Sequence, residues 1–273
     1  MTAADIYSRI DHGRTADGIV RQVESLVLEG VLRAGDRLPA ERDLAQRMDV
    51  SRPILREALK QLEEHGLLTT RPGGGTHVAD VIGQVFSAPV VDLISRHGKA
   101  TIDYLEYRRE IEGVTAELAA TRATVADRDL LTRTVEAMKA SHRHSDFAEE
   151  AAHDVEFHSA VGECAHNIVL LHTLRACYRL LSQGVFYNRS RIYTIAGVRE
   201  KLLDQHLAIY DAVMAGDPVA ARHAAQSHID FVAGAVQDAE RSSDRERVSR
   251  LRLEQRSSGG TGRRTPTERK AEA

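Results

Sequence analysis

Two stretches near the N-terminus decide the fold: LPAER at residues 38–42 and SRPILREAL at residues 51–59. Apolar residues recur at helical spacing over 41–48, a short connection follows, and Ser51 is a good N-cap for a run of helix-forming residues. A first helix, a tight turn and a second helix with a polar N-terminal half form a helix-turn-helix, which reads the major groove of DNA. The sequence therefore predicts double-stranded DNA as a partner.

The second of these helices carries three cations on one face. Arg52, Arg56 and Lys60 are spaced by four residues, so their side chains line one side of the helix, where they can reach phosphates and base edges. Ser51 begins the same helix, and we include it in the predicted DNA-contacting set. An ordinary solvated basic face has the same spacing, so this stripe needs support from its surroundings.

A glycine-rich hairpin provides that support. LLTTR at 67–71 and THVA at 76–79 alternate as short strands do, and they flank the three glycines at 73–75. Glycines at a hairpin tip let the backbone approach the sugar-phosphate walls of the minor groove, where a side chain would collide. The segment is predicted to be the wing of a winged helix-turn-helix.

Residues 15–79 resemble the winged helix-turn-helix of the GntR family of bacterial transcription regulators. The resemblance runs through LEGVLRAGDRLPAER from residue 28, through VSRP and through the GGGT of the wing. It implies that Arg42, Arg52 and Arg56 contact DNA and that Gly73 lies at the wing tip.

The length of the chain suggests two domains, and its composition fits a cytosolic regulator without establishing one. The chain has 273 residues, a net charge of −3 and 42% hydrophobic residues, with no 18-residue apolar run and no leader-like N-terminus. We expect a cytoplasmic protein with no membrane association, whose Cys164 and Cys177 are buried, reduced thiols. Residues 1–79 hold 11 Lys and Arg against 12 Asp and Glu, so DNA affinity must come from local charge placement and from a homodimer that reads a pseudo-palindromic operator.

The predicted fold class is mainly α, a winged helix-turn-helix followed by an all-α antiparallel helical bundle. Helical patterns cover 84–97, 101–122, 126–143, 146–165, 167–189, 195–215 and 218–240. The predicted division is an N-terminal extension (1–14), the DNA-binding domain (15–79), a linker with a linker helix (80–99), the effector-binding and dimerisation domain (100–240) and a disordered basic tail (241–273).

The bundle contains four residues that can bind a metal. Asp154 and His158 are four residues apart on one helix, and His206 and His228 lie at similar distances on either side of the turn at Gly216. At 1.5 Å of rise per residue, both histidines lie roughly 15 Å from that turn, level with each other across a helical hairpin. One carboxylate and three imidazoles suit zinc, and also Mn, Fe, Co or Ni. An Asp/His pair at this spacing is also a common helix-surface interaction.

Residues 100–235 resemble the FCD effector domain of the FadR subfamily, whose metal-binding members carry Asp, His, His and His at the matching positions. The resemblance implies a divalent metal at Asp154, His158, His206 and His228, and implies that Arg108 and Asn167 bind an effector. Arg108 can instead be a helix-surface ion-pair partner of Glu112. Relatives within this subfamily respond to small 2-oxo or 2-hydroxy acids such as pyruvate, lactate and glycolate.

We therefore predict a DNA-binding repressor, not an enzyme, whose operator affinity depends on a small carboxylic acid bound at the metal. One alternative is a zinc hydrolase with Glu156 or Glu163 as the base, although neither is well placed beside Asp154 and His158. Another is a DNA-binding protein that is indifferent to small acids and holds a purely structural metal.

Overall fold

The computed structural model describes residues 6–9, 16–71, 73–80, 91, 93, 97–144, 147–182 and 192–258. Within them lie two strands, β1 (Leu68–Arg71) and β2 (Gly75–Val78). The helices in the same residues are α1 (Ala16–Leu28), α2 (Glu41–Arg47), α3 (Arg52–Glu64), α4 (Gly98–Arg122), α5 (Val125–His144), α6 (Phe147–Cys164), α7 (Ile168–Ser182), α8 (Val198–Ala215) and α9 (Pro218–Ser258). The mainly α fold with an N-terminal wing is confirmed.

The DNA-binding head is built on α1, α2 and α3. Leu44, Met48, Leu55 and Leu62 are fully buried and form its centre together with the apolar face of α1. Asp49 has a positive φ of 54° in the turn between α2 and α3, a conformation that aspartate tolerates better than most residues. The turn thus orients α3 so that its polar face stays outside the core.

The wing is a two-stranded antiparallel hairpin. Leu68 pairs with Val78 and Arg71 with Gly75, and Gly73 lies at the tip with a φ of 71°. The backbone N–H of Leu38 donates to Thr76 at 2.9 Å. This bond joins the hairpin to the segment before α2, which holds the wing against the helix-turn-helix.

Helices α4 to α9 form the predicted bundle, in which α4 packs along α9, α5 along α6, and α8 along α9. Gly216 ends α8 in the left-handed conformation, and the Asp217 carboxylate accepts hydrogen bonds from the first backbone N–H groups of α9. Two apolar clusters fill the bundle, one around Phe157 and Ile209 and one around Tyr178 and Ile229.

The structure adds detail at the ends of the predicted domains. The bundle begins at Gly98, inside the predicted linker, and the predicted helix over 84–97 lies mostly outside the described residues. Tyr7, from the predicted N-terminal extension, is buried in the head core.

The predicted disorder of the basic tail is wrong for 241–258, because α9 continues to Ser258. Ion pairs at helical spacing, such as Arg247 with Asp244 and Arg250 with Glu246, support this exposed extension. Residues 259–273 lie outside the described part of the chain. Among the helices that the structure describes, none combines the length and the apolar character needed to cross a membrane.

Candidate metal centre and DNA-binding surface

The predicted metal ligands meet in the bundle. Asp154 and His158 project from α6, His206 from α8 and His228 from α9, and one ligand atom from each lies within 4.8 Å of all the others. All four residues are buried. The ring centroids of His206 and His228 are 4.4 Å apart, so the two histidines are level across the α8–α9 hairpin as predicted.

The spacing of these atoms fits a divalent metal. His158 Nε2 lies 3.2 Å from His206 Nε2, which lies 3.2 Å from Asp154 Oδ1. Ligands bound tetrahedrally at metal distances near 2.0–2.1 Å are about 3.4 Å apart. The separations of His206 Nε2 from His158 Nε2 and from Asp154 Oδ1 are therefore close to those of two atoms that share a zinc ion.

His228 adds the third imidazole, and its state favours metal binding. Burial, assisted by the neighbouring His206 and His158, holds the pKa of His228 well below its usual value. A ligand imidazole must be neutral. The buried Nδ1 of His228 also has no hydrogen-bond partner among the described residues, and a buried polar atom of this kind is expected to be satisfied by some bound group.

The cluster lies between the two apolar clusters of the bundle. His158 stacks on Tyr178 at a ring separation of 4.8 Å and meets Phe157 edge-on at 5.4 Å. Phe157 also meets His206 edge-on at 5.1 Å. These aromatic contacts fix the planes of the imidazoles and exclude water from their sides.

A buried charge network supports His158 from α4. Glu112 Oε2 lies 2.8 Å from His158 Nδ1, and Glu112 Oε1 accepts from Arg108 Nε at 2.7 Å and from the Tyr178 hydroxyl at 2.9 Å. Burial alone would raise the pKa of Glu112, but Arg108 and His158 outweigh burial and hold the pKa far below its usual range. A carboxylate behind Nδ1 leaves Nε2 of His158 for a metal and orients the ring.

Arg108 is therefore neither a surface residue nor an open anion receptor. Only 1% of its side chain is exposed, and its guanidinium is bound by Glu112 and lies 4.5 Å from the centre of the Tyr178 ring. Two cavities reach the cluster, one beside Asp154 and His206 and one beside Glu112 and His158. Arg108 lines neither of these two cavities, and its role toward an effector stays a prediction.

Asn167 is placed at the N-terminus of α7, where it acts as a helix cap. Its Oδ1 accepts hydrogen bonds from the backbone N–H groups of Val169 and Leu170, both at 3.1 Å. Six residues of α6, or about 9 Å, separate His158 from the end of that helix. The structure does not bring Asn167 into the metal cluster, and its role toward an effector stays a prediction.

The sequence reasoning missed Glu112 and Tyr178 as parts of the site. Glu112 was considered only as a surface partner of Arg108, because an Arg–Glu pair four residues apart has the same signature on a surface and in a core. Nothing in the sequence around Tyr178 distinguishes it from an ordinary core aromatic residue.

The cations of α3 form an exposed face, and two of them contact an acidic residue of α2. Arg56 Nε lies 2.7 Å and Arg52 Nη2 lies 3.7 Å from the same carboxylate oxygen of Glu41 on α2. Lys60 follows one turn later and pairs with Glu64 at 3.4 Å. The pairs are solvent-exposed and hence weak, so phosphates can replace these carboxylates at little cost.

The remaining predicted DNA contacts surround this face. Ser51 takes the N-cap position of α3 without a side-chain capping bond. The Arg42 side chain is 83% exposed and lies 3.3 Å from Asp43. At the wing tip, no atom beyond the adjacent residues lies within 4 Å of the position that a Cβ of Gly73 would take. The tip is therefore accessible.

Glu156 and Glu163 face away from the metal cluster. Glu156 accepts hydrogen bonds from Arg33 at 3.1 and 3.3 Å, and Glu163 accepts from Arg33 at 2.9 Å and from Arg175. Both carboxylates are thus bound by arginines on the outer side of α6. This placement removes the proposed bases of a hydrolase.

Two family models match the chain over most of its length. Residues 15–78 match the bacterial regulatory proteins of the gntR family, and residues 103–231 match the FCD domain. These ranges lie within the head and within the bundle that contains Asp154, His158, His206 and His228.

Individual proteins are similar over the same span. The "Putative L-lactate dehydrogenase operon regulatory protein" of Escherichia coli strain K12 is 40% identical over 223 residues, which are 80% of this chain and 85% of that protein. The Glc operon transcriptional activator of the same strain is 33% identical over 225 residues, covering 81% and 89%. A solved structure, Streptococcus agalactiae GntR, is 26% identical with a TM-score of 0.48 over 80% of this chain and 98% of that one.

Proposed function

Because the chain belongs to the GntR family of bacterial regulators and carries an FCD domain, we propose that it is a repressor whose operator affinity is set by a small carboxylic acid. The proteins of this kind that it resembles are transcriptional regulators, and the chain is a regulator rather than an enzyme. The observation that carries the proposal is the buried Asp154, His158, His206 and His228 cluster in the domain next to the DNA-binding head.

The proposed cofactor is a divalent metal held by these four residues. Zinc is the first candidate, and Mn, Fe, Co and Ni suit the same donor set. When bound, such an ion would supply a Lewis acid for the carboxylate and the adjacent oxygen of a 2-oxo or 2-hydroxy acid. Pyruvate, lactate and glycolate are the acids to test first, since relatives are named for lactate and Glc operons.

The roles of the surrounding residues follow from their contacts. Glu112 orients His158 through Nδ1, and Phe157 and Tyr178 keep water from the imidazoles. Arg108 is the buried cation of this network, and in our proposal it binds the carboxylate of the acid. A bidentate guanidinium contact favours a carboxylate over a neutral ligand.

The proposed DNA target is a pseudo-palindromic operator bound in the cytoplasm by a homodimer, each head placing α3 in a major groove. Arg42, Ser51, Arg52, Arg56 and Lys60 supply the contacts, with Gly73 at the minor groove. Neither head is basic overall, so two heads on one duplex are needed for useful affinity. The acid must favour one arrangement of the heads, and a ~100-fold preference corresponds to about 2.7 kcal/mol.

The division into domains is part of the same proposal. We assign 15–79 to DNA binding and 100–240 to effector binding and dimerisation, with 80–99 as the connection. The apolar clusters support this division, because the head has a core separate from the two in the bundle.

The test is the fluorescence anisotropy of the full chain on DNA from its own upstream region, titrated with pyruvate, lactate and glycolate at fixed salt. We expect one acid to release the DNA. His206→Ala should lose metal and the acid response and keep DNA binding, whereas His223→Ala, at an exposed histidine of α9, should behave as the parent. A His206→Ala protein that still responds to the acid would refute the metal-centred proposal, and a parent indifferent to all three acids would favour a structural metal.

A further inference from the structure

The outer face of α6 is occupied by a turn of the DNA-binding head. Arg33, which follows α1, extends its guanidinium to two carboxylates of α6, with Nη1 3.1 Å from Glu156 and Nη2 2.9 Å from Glu163. Arg175 of α7 contacts the same oxygen of Glu163. These four residues, the Arg33 cluster, balance two positive against two negative charges only while the head is in place.

Backbone contacts beside this cluster show that the two surfaces are closely fitted. His172 Nε2 lies 2.7 Å from the carbonyl oxygen of Leu28, the last residue of α1. Gly30 has a φ of 73°, and a Cβ there would come within 2.8 Å of Arg175 and 3.0 Å of Leu171. Only glycine combines this conformation with so close an approach, so the turn is shaped to lie against α7.

The same helix serves both domains from opposite sides. Asp154 and His158 point into the metal cluster, whereas Glu156 and Glu163 point to Arg33. At 3.6 residues per turn, the two carboxylates lie roughly half a turn around α6 from the two metal ligands. A shift or rotation of α6 that changes the ligand set therefore also moves the two carboxylates that hold the head.

We propose that the Arg33 cluster ties the position of the DNA-binding head to the occupancy of the metal centre. When the metal is bound, α6 is held by two ligands and presents Glu156 and Glu163 at the spacing that Arg33 needs. When no metal is bound, no cation holds the four ligand side chains together. Helix α6 is then less firmly held in the bundle, and the turn at 29–33 separates from the surface of α6. The inference rests on the proposed metal centre and adds the contact through which it reaches the head.

The strength of the contact suits a reversible connection. Glu156 and Arg33 have side chains that are 43% and 41% exposed, whereas the Glu163 side chain is 16% exposed. An exposed ion pair such as Arg33–Glu156 changes an equilibrium constant by less than about tenfold, and Arg33–Glu163 is the more shielded of the two pairs. The head can therefore separate from α6 without unfolding either domain. A fully buried ion pair would hold the head permanently.

The test is amide hydrogen exchange of the full chain with Zn²⁺ bound and after chelation, without DNA or acid. In the parent we expect chelation to raise the amide exchange rate in the turn at 29–33 by about tenfold. This is the effect expected when the ion pairs of one surface contact are lost. In a Glu156→Gln/Glu163→Gln protein, exchange in the turn should be high with and without Zn²⁺. Because the coupling is reciprocal, this protein should also bind Zn²⁺ about tenfold more weakly than the parent. Glu117→Gln, which removes an ion pair of similar exposure with Arg222 inside the bundle, should match the parent.

Arg33→Met provides a second variant that leaves α6 unchanged, should the double variant fold poorly. The proposal is refuted if chelation leaves exchange at 29–33 unchanged in the parent, or if Arg33→Met retains the full dependence on Zn²⁺. Failure of the acid titration alone would reject the proposed effector and leave this result standing, because the exchange experiment uses the metal alone. Failure of the exchange experiment would remove the connection and leave acid control of DNA binding to another contact.

Discussion

Replacing Glu112 by Gln should destabilise the bundle strongly, even though the two side chains have nearly the same shape. Only 4% of the Glu112 side chain and 1% of the Arg108 side chain are exposed. The amide removes the carboxylate charge that faces the Arg108 guanidinium in this buried pair. Removing one partner of a buried ion pair costs about 3–5 kcal/mol, a large share of a typical unfolding free energy of about 5–15 kcal/mol.

Urea unfolding followed by circular dichroism, with the metal chelated, measures this loss. The matched control is Glu117→Gln, five residues along α4, whose side chain is 40% exposed beside a 36% exposed Arg222. An exposed pair contributes about 0–1 kcal/mol, so the control should be nearly neutral. The variant should also bind Zn²⁺ about 10–100-fold more weakly, because His158 loses its orienting carboxylate.

Acid titration provides a second measure of the same group. The folded protein holds the pKa of Glu112 below its value in the unfolded chain, about 4.3. Glu112 therefore stabilises the fold fully above that value, and the contribution falls by up to about 1.4 kcal/mol per pH unit as the pH drops further. Glu112→Gln should flatten this part of the stability curve. An exposed ion pair contributes at most about 1 kcal/mol. If the unfolding free energy of Glu112→Gln lies within that amount of the parent's, Glu112 and Arg108 do not form the strong buried pair predicted here.

Three further predictions concern the head and the thiols. If Arg56 contacts a phosphate, Arg56→Ala should weaken DNA binding about equally on all sequences and reduce the steepness of log affinity against log salt concentration by about 1. If anisotropy titrations show the same affinity and the same salt dependence as the parent, Arg56 does not contact the DNA. Gly75→Ala should destabilise the wing by about 1–2 kcal/mol, because the φ of Gly75 is +88° and a Cβ there would lie 2.9 Å from an arginine side chain. In thermal melts the control Gly98→Ala, at an open position at the start of a helix, should not be less stable than the parent. Burial raises the pKa of Cys164 to about 12 and that of Cys177 to about 11, so both should resist thiol reagents at pH 8 until urea unfolds the chain; rapid labelling of the native protein would contradict their burial.

The local parts of the fold were accessible from the sequence because they depend on neighbours along the chain. The turn between α2 and α3, the cap position of Ser51 and the hairpin around Gly73 follow from residue types at fixed spacing. The level placement of His206 and His228 was also predictable, because one sharp turn joins two regular helices of known rise.

The helix over 241–258 was not predicted from the sequence. The sequence analysis treated 241–273 as disordered from its composition, yet ion pairs one turn apart support helix to Ser258. An exposed extension of this kind lacks an apolar stripe, so the periodicity that identifies buried helices does not detect it.

By itself, the sequence determined the winged helix-turn-helix and the helical bundle, because both follow from spacings of a few residues. The resemblance to the FCD domain, together with the level placement of His206 and His228, indicated the four residues that can hold a metal. Only the tertiary structure decided that Glu112 and Arg108 form a buried pair behind His158. It also decided that Arg33 of the head meets Glu156 on the side of α6 opposite Asp154 and His158. An ion pair has the same sequence signature whether it is exposed or buried, and contacts more than a hundred residues apart have none. Burial and long-range partners are properties of the assembled packing, which converts a set of local patterns into a site connected to a DNA-binding head.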